Sequence, residues 1–364
     1  MRRALVLGGY GVFGGRIAER LARVGGLEII VAGRSQAAAE AMAARLSPAA
    51  GTKIAAMAMD AQMATARQIG DAGADILINA SGPYQAQSYS LPRACIAAGC
   101  HYVDLADARA YAAGIGALDT EAQHASVLVV SGASSVPALS AAVVDACRSR
   151  FAALEAVTTI IAPGNSFDPG TGTTASILRT VGRPVGSRGG QGFGWQGLQR
   201  RSIPGLGGRW IGLVDVPDLD LFPQRYRGLR SVRVYAALEV GIFHLGMWAV
   251  SWLVRAGLLR RPQRLAAPLL AVKRRLGFLG SDTGGMTVTL EGRDGAGAAT
   301  RLDWHLIARR GHGPYIPTIP ALIVAKRLLA GTLDRRGAMP CLGLVTLDDF
   351  LAEVADLDIT AGLL

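Results

Sequence analysis

The chain opens Met1-Arg-Arg-Ala-Leu-Val-Leu-Gly-Gly-Tyr-Gly-Val-Phe-Gly14, and the reading of this stretch decides the fold. Residues 4–7 are a short apolar run of the kind that makes a buried parallel strand. Gly9-x-Gly11-x-x-Gly14 follows at once, and residues 16–24 have helical spacing, with Ile17, Leu21 and Val24 on one face. A lone glycine triplet says little. One that leaves a strand and opens a helix has the context of a dinucleotide-binding turn. In that reading Gly9 permits the tight turn, Gly11 lets a pyrophosphate approach the backbone, and Gly14 lets the helix pack on the strand. The N–H groups of the helix start then face the phosphates. Gly8, Tyr10, Val12 and Phe13 complete the expected contact. The competing reading is a glycine-rich strand–helix corner that holds no ligand.

A second apolar run, residues 27–32, ends in Gly33-Arg34-Ser35. NAD-preferring sites place an acid at the end of this strand, on the ribose 2′-hydroxyl. Here Glu28 lies too early, at the strand start, and the expected position carries Arg34. A guanidinium can stack on adenine and pair with a 2′-phosphate, and Ser35 adds a hydroxyl donor. The balance favours NADP(H), against the alternative of a solvated turn arginine.

At 364 residues the chain has length for two domains with real cores, and 50% hydrophobic with 18% charged residues argues against disorder. A net charge of +11 suits anionic ligands, an anionic membrane surface or nucleic acid. Sparse aromatics and the lack of any zinc-finger or RRM-type signature make nucleic acid a poor partner. Cys95, Cys100, Cys147 and Cys341 make no C-x-x-C pair and read as buried small hydrophobes. Neither HExxH nor a His/Cys cluster occurs, so no metal is expected. The chain enters its first strand by residue 4, which leaves no signal peptide and suggests a cytoplasmic location.

Strand-like runs continue at residues 53–59, 75–80, 101–105 and 126–130, alternating with helical segments such as 36–46 and 90–98. This alternation implies an α/β fold: a Rossmann-type, doubly wound parallel sheet whose ligands sit at the carboxyl ends of the strands. Asp60, Ala80, Ser81, Gly82, Pro83 and Asp104 stand at those ends and are assigned to the cofactor site. Near residue 150 the pattern changes to a second, α+β domain. Strands are expected at 157–162, 209–216, 231–235, 285–291 and 298–308, the last two joined by a turn at 292–295. Residues 182–208 read as loop, and 319–329 and 347–354 as helices. The boundaries expected are 1–150 for the dinucleotide domain and 151–330 for the second. Residues 331–364 are expected to pack back on the first.

These residues resemble the saccharopine dehydrogenase-like oxidoreductases, in particular a bacterial branch of unassigned substrate. The resemblance rests on GGYGVFG at 8–14, AGRS at 32–35, INASGPY at 78–84, CIAAGCHYVDLADAR at 95–109 and VVSGASSVPALSAAVVD at 129–145. Weaker echoes occur at 282–288 and 311–321. It implies an NADP-binding domain followed by a substrate and dimerisation domain, hence a homodimer. Members of the family act on imines in opine-type chemistry or on carbon–carbon double bonds in lipid pathways. The function expected is hydride transfer to or from a C=N, C=C or C=O group of a small molecule. The alternative is a cofactor-binding protein without turnover, acting as a redox sensor or a membrane-associated partner.

Tyr84 and Asp107 are the candidate catalytic residues. Tyr84 follows the fourth strand and either donates a proton to substrate or packs its ring. Asp107 either acts as an acid or caps the helix that begins near residue 108. Thr171, Thr173 and Thr174 either reach a ligand or cap a helix; His305 and His312 either donate protons or are structural. Within an apolar helical segment at 237–275, residues 240–254 contain no charge and are shorter than the ~20 needed to span a bilayer. Seven cations without an acid follow or end this stretch. It is expected to be a subunit interface or a peripheral membrane contact at 240–275, and either favours a hydrophobic substrate.

Overall fold

In the computed structural model, which describes residues 2–47, 53–187 and 190–364, six of the expected apolar runs become strands. They are β1 (Arg2–Leu7), β2 (Leu27–Gly33), β3 (Ile54–Ala58), β4 (Ile76–Asn79), β5 (His101–Asp104) and β6 (Leu128–Ser131). A seventh strand, Gly337–Pro340, pairs with β6, and the order runs from it through β6, β5, β4, β1 and β2 to β3, every pair parallel. β2, β4 and β6 are buried along their whole length, which a sheet covered on both faces requires. Helices α1 (Gly14–Ala22) and α2 (Gln36–Leu46) flank β2 in the chain. Successive strands spread to one side from β1 and to the other from β4. The carboxyl ends of β1 and β4 therefore bracket the switch point of the sheet, where such folds bind ligands.

The chain divides into two compact units, Met1–Ala138 with Tyr315–Val345 and Leu139–Pro314 with Thr346–Leu364. The first boundary thus falls before residue 150, because the helix Ser140–Cys147 packs on the strand Gly284–Arg293 of the second unit. The helix Ile319–Leu329 belongs to the first unit, where it packs on α1, β4 and β5. Of the segment 331–364, the strand beside β6 joins the first unit. The end of the chain goes to the second, where Ile359–Leu363 pairs antiparallel with Ala299–Ala308.

The second unit is α+β. Its seven-stranded sheet runs Gln199–Ile203, Gly207–Leu213, Ser231–Ala236, Ala153–Ala162, Gly284–Arg293, Ala299–Ala308, Ile359–Leu363. The expected hairpin is present: Arg293 faces Ala299, and the Asp294 carboxylate accepts the N–H groups of Ala296 and Ala298, closing the turn. The stretch expected as loop at 182–208 carries three strands, Pro184–Ser187, Gly190–Phe193 and Gln199–Ile203; Arg188 and Gly189 lie outside the described residues.

Candidate functional site

Three backbone observations define the glycine turn. Gly8 is left-handed, at φ 79°, and a Cβ there would meet the Ala80 carbonyl at 3.1 Å, so the ends of β1 and β4 touch. A Cβ on Gly14 would fall on the Gly8 carbonyl, so α1 can start only where residue 14 has no side chain. Gly11 is different: it is exposed, and a Cβ there would meet only the Gly8 oxygen, at 3.0 Å. Its outer side is open to an approaching group. Beside it the N–H groups of Val12 and Gly14 bond to no described residue, while those of Gly11 and Gly15 are satisfied by Gly8 and Gly11 carbonyls. Unpaired donors at a helix start with an open backbone in front fit an anionic diphosphate.

At Gly9 a Cβ would meet the Val6 oxygen, three residues back, at 2.7 Å and Val31 of β2 at 3.0 Å, so the missing side chain serves both the turn and its packing against β2. Tyr10 crosses to the end of β2. Its hydroxyl accepts the Ser35 N–H at 3.0 Å, and its ring takes the space a side chain on Gly33 would need. Ser35 caps α2 by accepting the Ala38 N–H at 3.2 Å, which leaves its hydroxyl proton to donate. Arg34 is exposed and carries no hydrogen bond or ion pair to any described residue. Glu28, the acid of β2, is committed elsewhere: it accepts Arg3 at 2.6 Å and pairs with Lys53 at 3.1 Å, contacts that hold its carboxyl below the usual range. Among the described residues, the corner that would read the ribose therefore presents an unpaired cation, Arg34, and no uncommitted acid. Asp60, half-exposed after β3, accepts the Gln62 N–H at 2.9 Å and closes its own turn.

A third side was invisible in the sequence. Gly11, Val12, Arg16, Arg45 and Tyr315 line a cleft of ≈ 160 Å³ on the outer face of the turn. Arg16 donates to the Val12 carbonyl and sits 5.2 Å from the Tyr315 ring centre, and Tyr315 donates to Glu19 at 3.0 Å. Tyr315 lies some three hundred residues from the turn, inside the weak echo at 311–321, so only the returning chain brings it here.

The loop after β4 is tightly held. Asn79 accepts the Ser81 N–H at 3.0 Å, the Gly82–Pro83 peptide is cis, and Gln87 donates to the Ser81 carbonyl at 2.7 Å. Ala80 and Ser81 thus border the glycine turn. Tyr84 lies inside. It is buried, donates to the Asn79 carbonyl at 2.7 Å, and packs on Tyr111 with ring centres 5.7 Å apart. Burial pushes its phenol well above the ordinary range. Of its two sequence readings, the packing one describes this placement. Asp104, assigned to the cofactor, is also internal: it is fully buried, and one oxygen accepts Ala106 N–H, Gly132 N–H and the Ser131 hydroxyl at 2.8–2.9 Å. Burial pushes its pKa up to about 6 against the pull of those donors. It ties β5 to the Gly132 loop instead of facing a ligand. Asp107 is half-exposed and accepts from Gln85 at 3.5 Å. The helix after it, Arg109–Gly114, has Ala108 at its cap with no side-chain bond, so Asp107 is not that cap.

In the second unit, Asp168 rather than a threonine bonds the start of the helix Gly170–Thr180, accepting the Gly170 N–H at 2.9 Å; Thr174 donates back to the Gly170 carbonyl. His312 accepts the Asp358 N–H at 2.7 Å, a structural bond, and His305 lies within the strand Ala299–Ala308. All four cysteines are free and buried.

The comparisons with known proteins fall on the same residues. Residues 4–130 match the saccharopine dehydrogenase NADP binding domain. Over the full length of both chains the structure is similar to apo saccharopine dehydrogenase (L-Glu forming) from Saccharomyces cerevisiae, with a TM-score of 0.69 at 13% identity. It is also similar to a mutant meso-dapdh with DAP from Clostridium tetani E88, with a TM-score of 0.50 at 11% identity over 98% of this chain and 99% of that one. No curated protein matches the sequence. Residues 4–130 thus match a saccharopine dehydrogenase-type NADP-binding domain, and over its whole length the chain has a fold similar to that of the yeast enzyme.

Proposed function

We propose that this protein is an NADP(H)-dependent oxidoreductase that moves hydride to or from a C=N group of a small, hydrophobic molecule. The observation that carries the cofactor choice is the corner at the end of β2. Arg34 is exposed there and pairs with no described residue, while the acid of that strand is consumed by Arg3 and Lys53. A 2′-phosphate would satisfy Arg34 and the free Ser35 proton; a 2′-hydroxyl would leave the cation idle. When bound, the nicotinamide supplies the hydride. The chain's part is to hold the diphosphate on the open turn at Gly11 and to keep water from the reacting carbon.

The internal placement of Tyr84 supports an imine over a ketone or enone. Reduction of a carbonyl needs a proton delivered as the hydride arrives, whereas an iminium carries its proton already. Asp107, half-exposed beside the strand ends, suits the pairing of a cationic nitrogen. Fluorescence titration with NADPH and NADH tests the first step, and consumption of NADPH against amines mixed with hydrophobic aldehydes or 2-oxo acids tests the second. Equal affinity for the two cofactors refutes the NADP(H) reading. Tight NADPH binding with turnover only of enones or ketones refutes the imine. Binding without turnover of any of them favours the non-catalytic alternative.

A further inference from the structure

The helix Gly241–Arg255 is built inside out. His244 and Ser251, the polar side chains within its apolar run, are fully buried. The His244 ring packs on Trp195 with centres 5.3 Å apart, and Ser251 donates to the Trp248 carbonyl at 2.6 Å. The outward positions Ile242, Leu245, Ala249, Trp252 and Leu253 recur at helical spacing and are all apolar. The chain then presents Leu258, and the helix Ala266–Arg275 adds Leu269 and Val272. Phe278 and Leu279 follow, Phe278 at 78% exposure. Among the described residues thirteen large apolar side chains are exposed, and nine of them lie between 242 and 279. A solvated face does not look like this; a face covered by something does.

The charge around it says by what. From Val240 to Gly280 there is no Asp or Glu, and there are seven cations: Arg255, Arg260, Arg261, Arg264, Lys273, Arg274 and Arg275. Among the described residues only Arg274 of these pairs with a carboxylate, Asp168, at 2.7 Å. Arg255 lies over the Phe193 and Trp252 rings, 4.1 and 5.0 Å from their centres. We propose that this face docks reversibly on an anionic lipid bilayer, its apolar stripe entering the headgroup–acyl boundary and its arginines meeting lipid phosphates. A second copy of the same face is the wrong complement, since apposing it would set cations against cations with no acid between them. Crossing the membrane is excluded by length. The helix has 15 residues, about 22 Å at 1.5 Å each, against a hydrocarbon core of about 30 Å, and no described helix is long and apolar enough to cross. The inference does not depend on the hydride-transfer reading.

Co-sedimentation of the full chain with phosphatidylcholine vesicles, with and without 30% phosphatidylserine, tests it. Binding is expected only with phosphatidylserine and is expected to weaken steeply at 0.5 M salt, because the attraction is screened. Each arginine near an anionic surface contributes about fivefold in affinity, so Arg260→Gln, Arg261→Gln and Arg264→Gln together should lose roughly a hundredfold. Leu253→Ser with Phe278→Ser should lose binding with no change in the thermal melt, both side chains being exposed. Failure to bind anionic vesicles overturns the proposal, as does equal binding to pure phosphatidylcholine. A triple-glutamine variant that binds like the wild type also overturns it. A concentration-dependent dimer that Leu253→Ser with Phe278→Ser dissolves, in a protein that ignores lipid, assigns the face to a second copy instead.

Discussion

Gly11 and Gly14 sit three residues apart in the same turn, and the structure separates what they do. A methyl on Gly14 would fall on the Gly8 carbonyl, and would also lie 2.7 Å from that carbonyl carbon and 3.0 Å from the Gly9 Cα. All of these are backbone atoms, so the start of α1 must retreat from β1. Overpacking of this kind costs about 1–3 kcal/mol. At roughly 2–4 °C per kcal/mol for a unit of this size, Gly14→Ala should lower the melting temperature without ligand by about 2–12 °C. At Gly11 the only close atom is the Gly8 oxygen, at 3.0 Å, and the outer side is open. Gly11→Val should therefore melt close to wild type but keep NADPH from the turn. NADPH at a hundred times its Kd stabilises the wild type by about 2.7 kcal/mol. Thermal melts with and without NADPH, followed by circular dichroism, resolve the two cases. The wild type rises, Gly11→Val does not rise, and Gly14→Ala starts low. A full NADPH-induced rise in Gly11→Val would show that the diphosphate does not use this turn. An unshifted melt in Gly14→Ala would refute the packing argument.

Arg34→Ala should weaken NADPH by about 1–3 kcal/mol, the loss of a charge-assisted hydrogen bond, while leaving NADH affinity within twofold; isothermal titration of both cofactors checks it. Tyr84→Phe removes the phenol that donates to Asn79 but takes no group from the substrate, so it should lower stability by about 1 kcal/mol and leave the pH dependence of turnover unchanged. Asp104 has its folded pKa raised to about 6 from 3.8. Folding therefore takes up a proton between those values, and stability from this group is present below about pH 4 and is lost as pH rises through 6. The size is on the order of 3 kcal/mol, and urea titrations at pH 4.5 and 7 should show a wild-type decrease that is missing in Asp104→Asn.

The strands of the first unit were legible because a parallel sheet covered on both faces needs residues that are apolar on both sides. Runs such as residues 27–32 and 126–130 have no other explanation. The same logic fails at 182–208. Gln199–Ile203 is exposed at four of its five positions, so its partner Gly207–Leu213 gives it hydrogen bonds without imposing an apolar pattern. Composition rich in glycine and arginine then reads as loop. The boundary near 150 was displaced for a related reason. The helix Ser140–Cys147 is apolar nearly all round, and a segment buried on all sides carries no mark of which core it enters.

At the site, what could be read was local. Gly8 to Gly14 and Arg34 lie within 35 residues of the start, and their roles follow from which atoms a helix and two strands must bring together. What could not be read was burial. Asp104 and Tyr84 stand at strand ends, where residue type alone suggests chemistry, yet the Gly132 loop and Tyr111 close over them. An acid that accepts three donors inside a core looks, in sequence, like an acid waiting for substrate. The converse holds at Gly241–Arg255. There an apolar run that sequence alone assigns equally to core or surface turns its polar residues inward, and only the positions of His244 and Ser251 reveal it. Patterns of hydrophobicity record which side of a helix is wet only when water is what lies outside. On the proposal that a lipid surface takes that place here, the outer face would obey the rule of an inner one and the arginines beside it would mark the boundary.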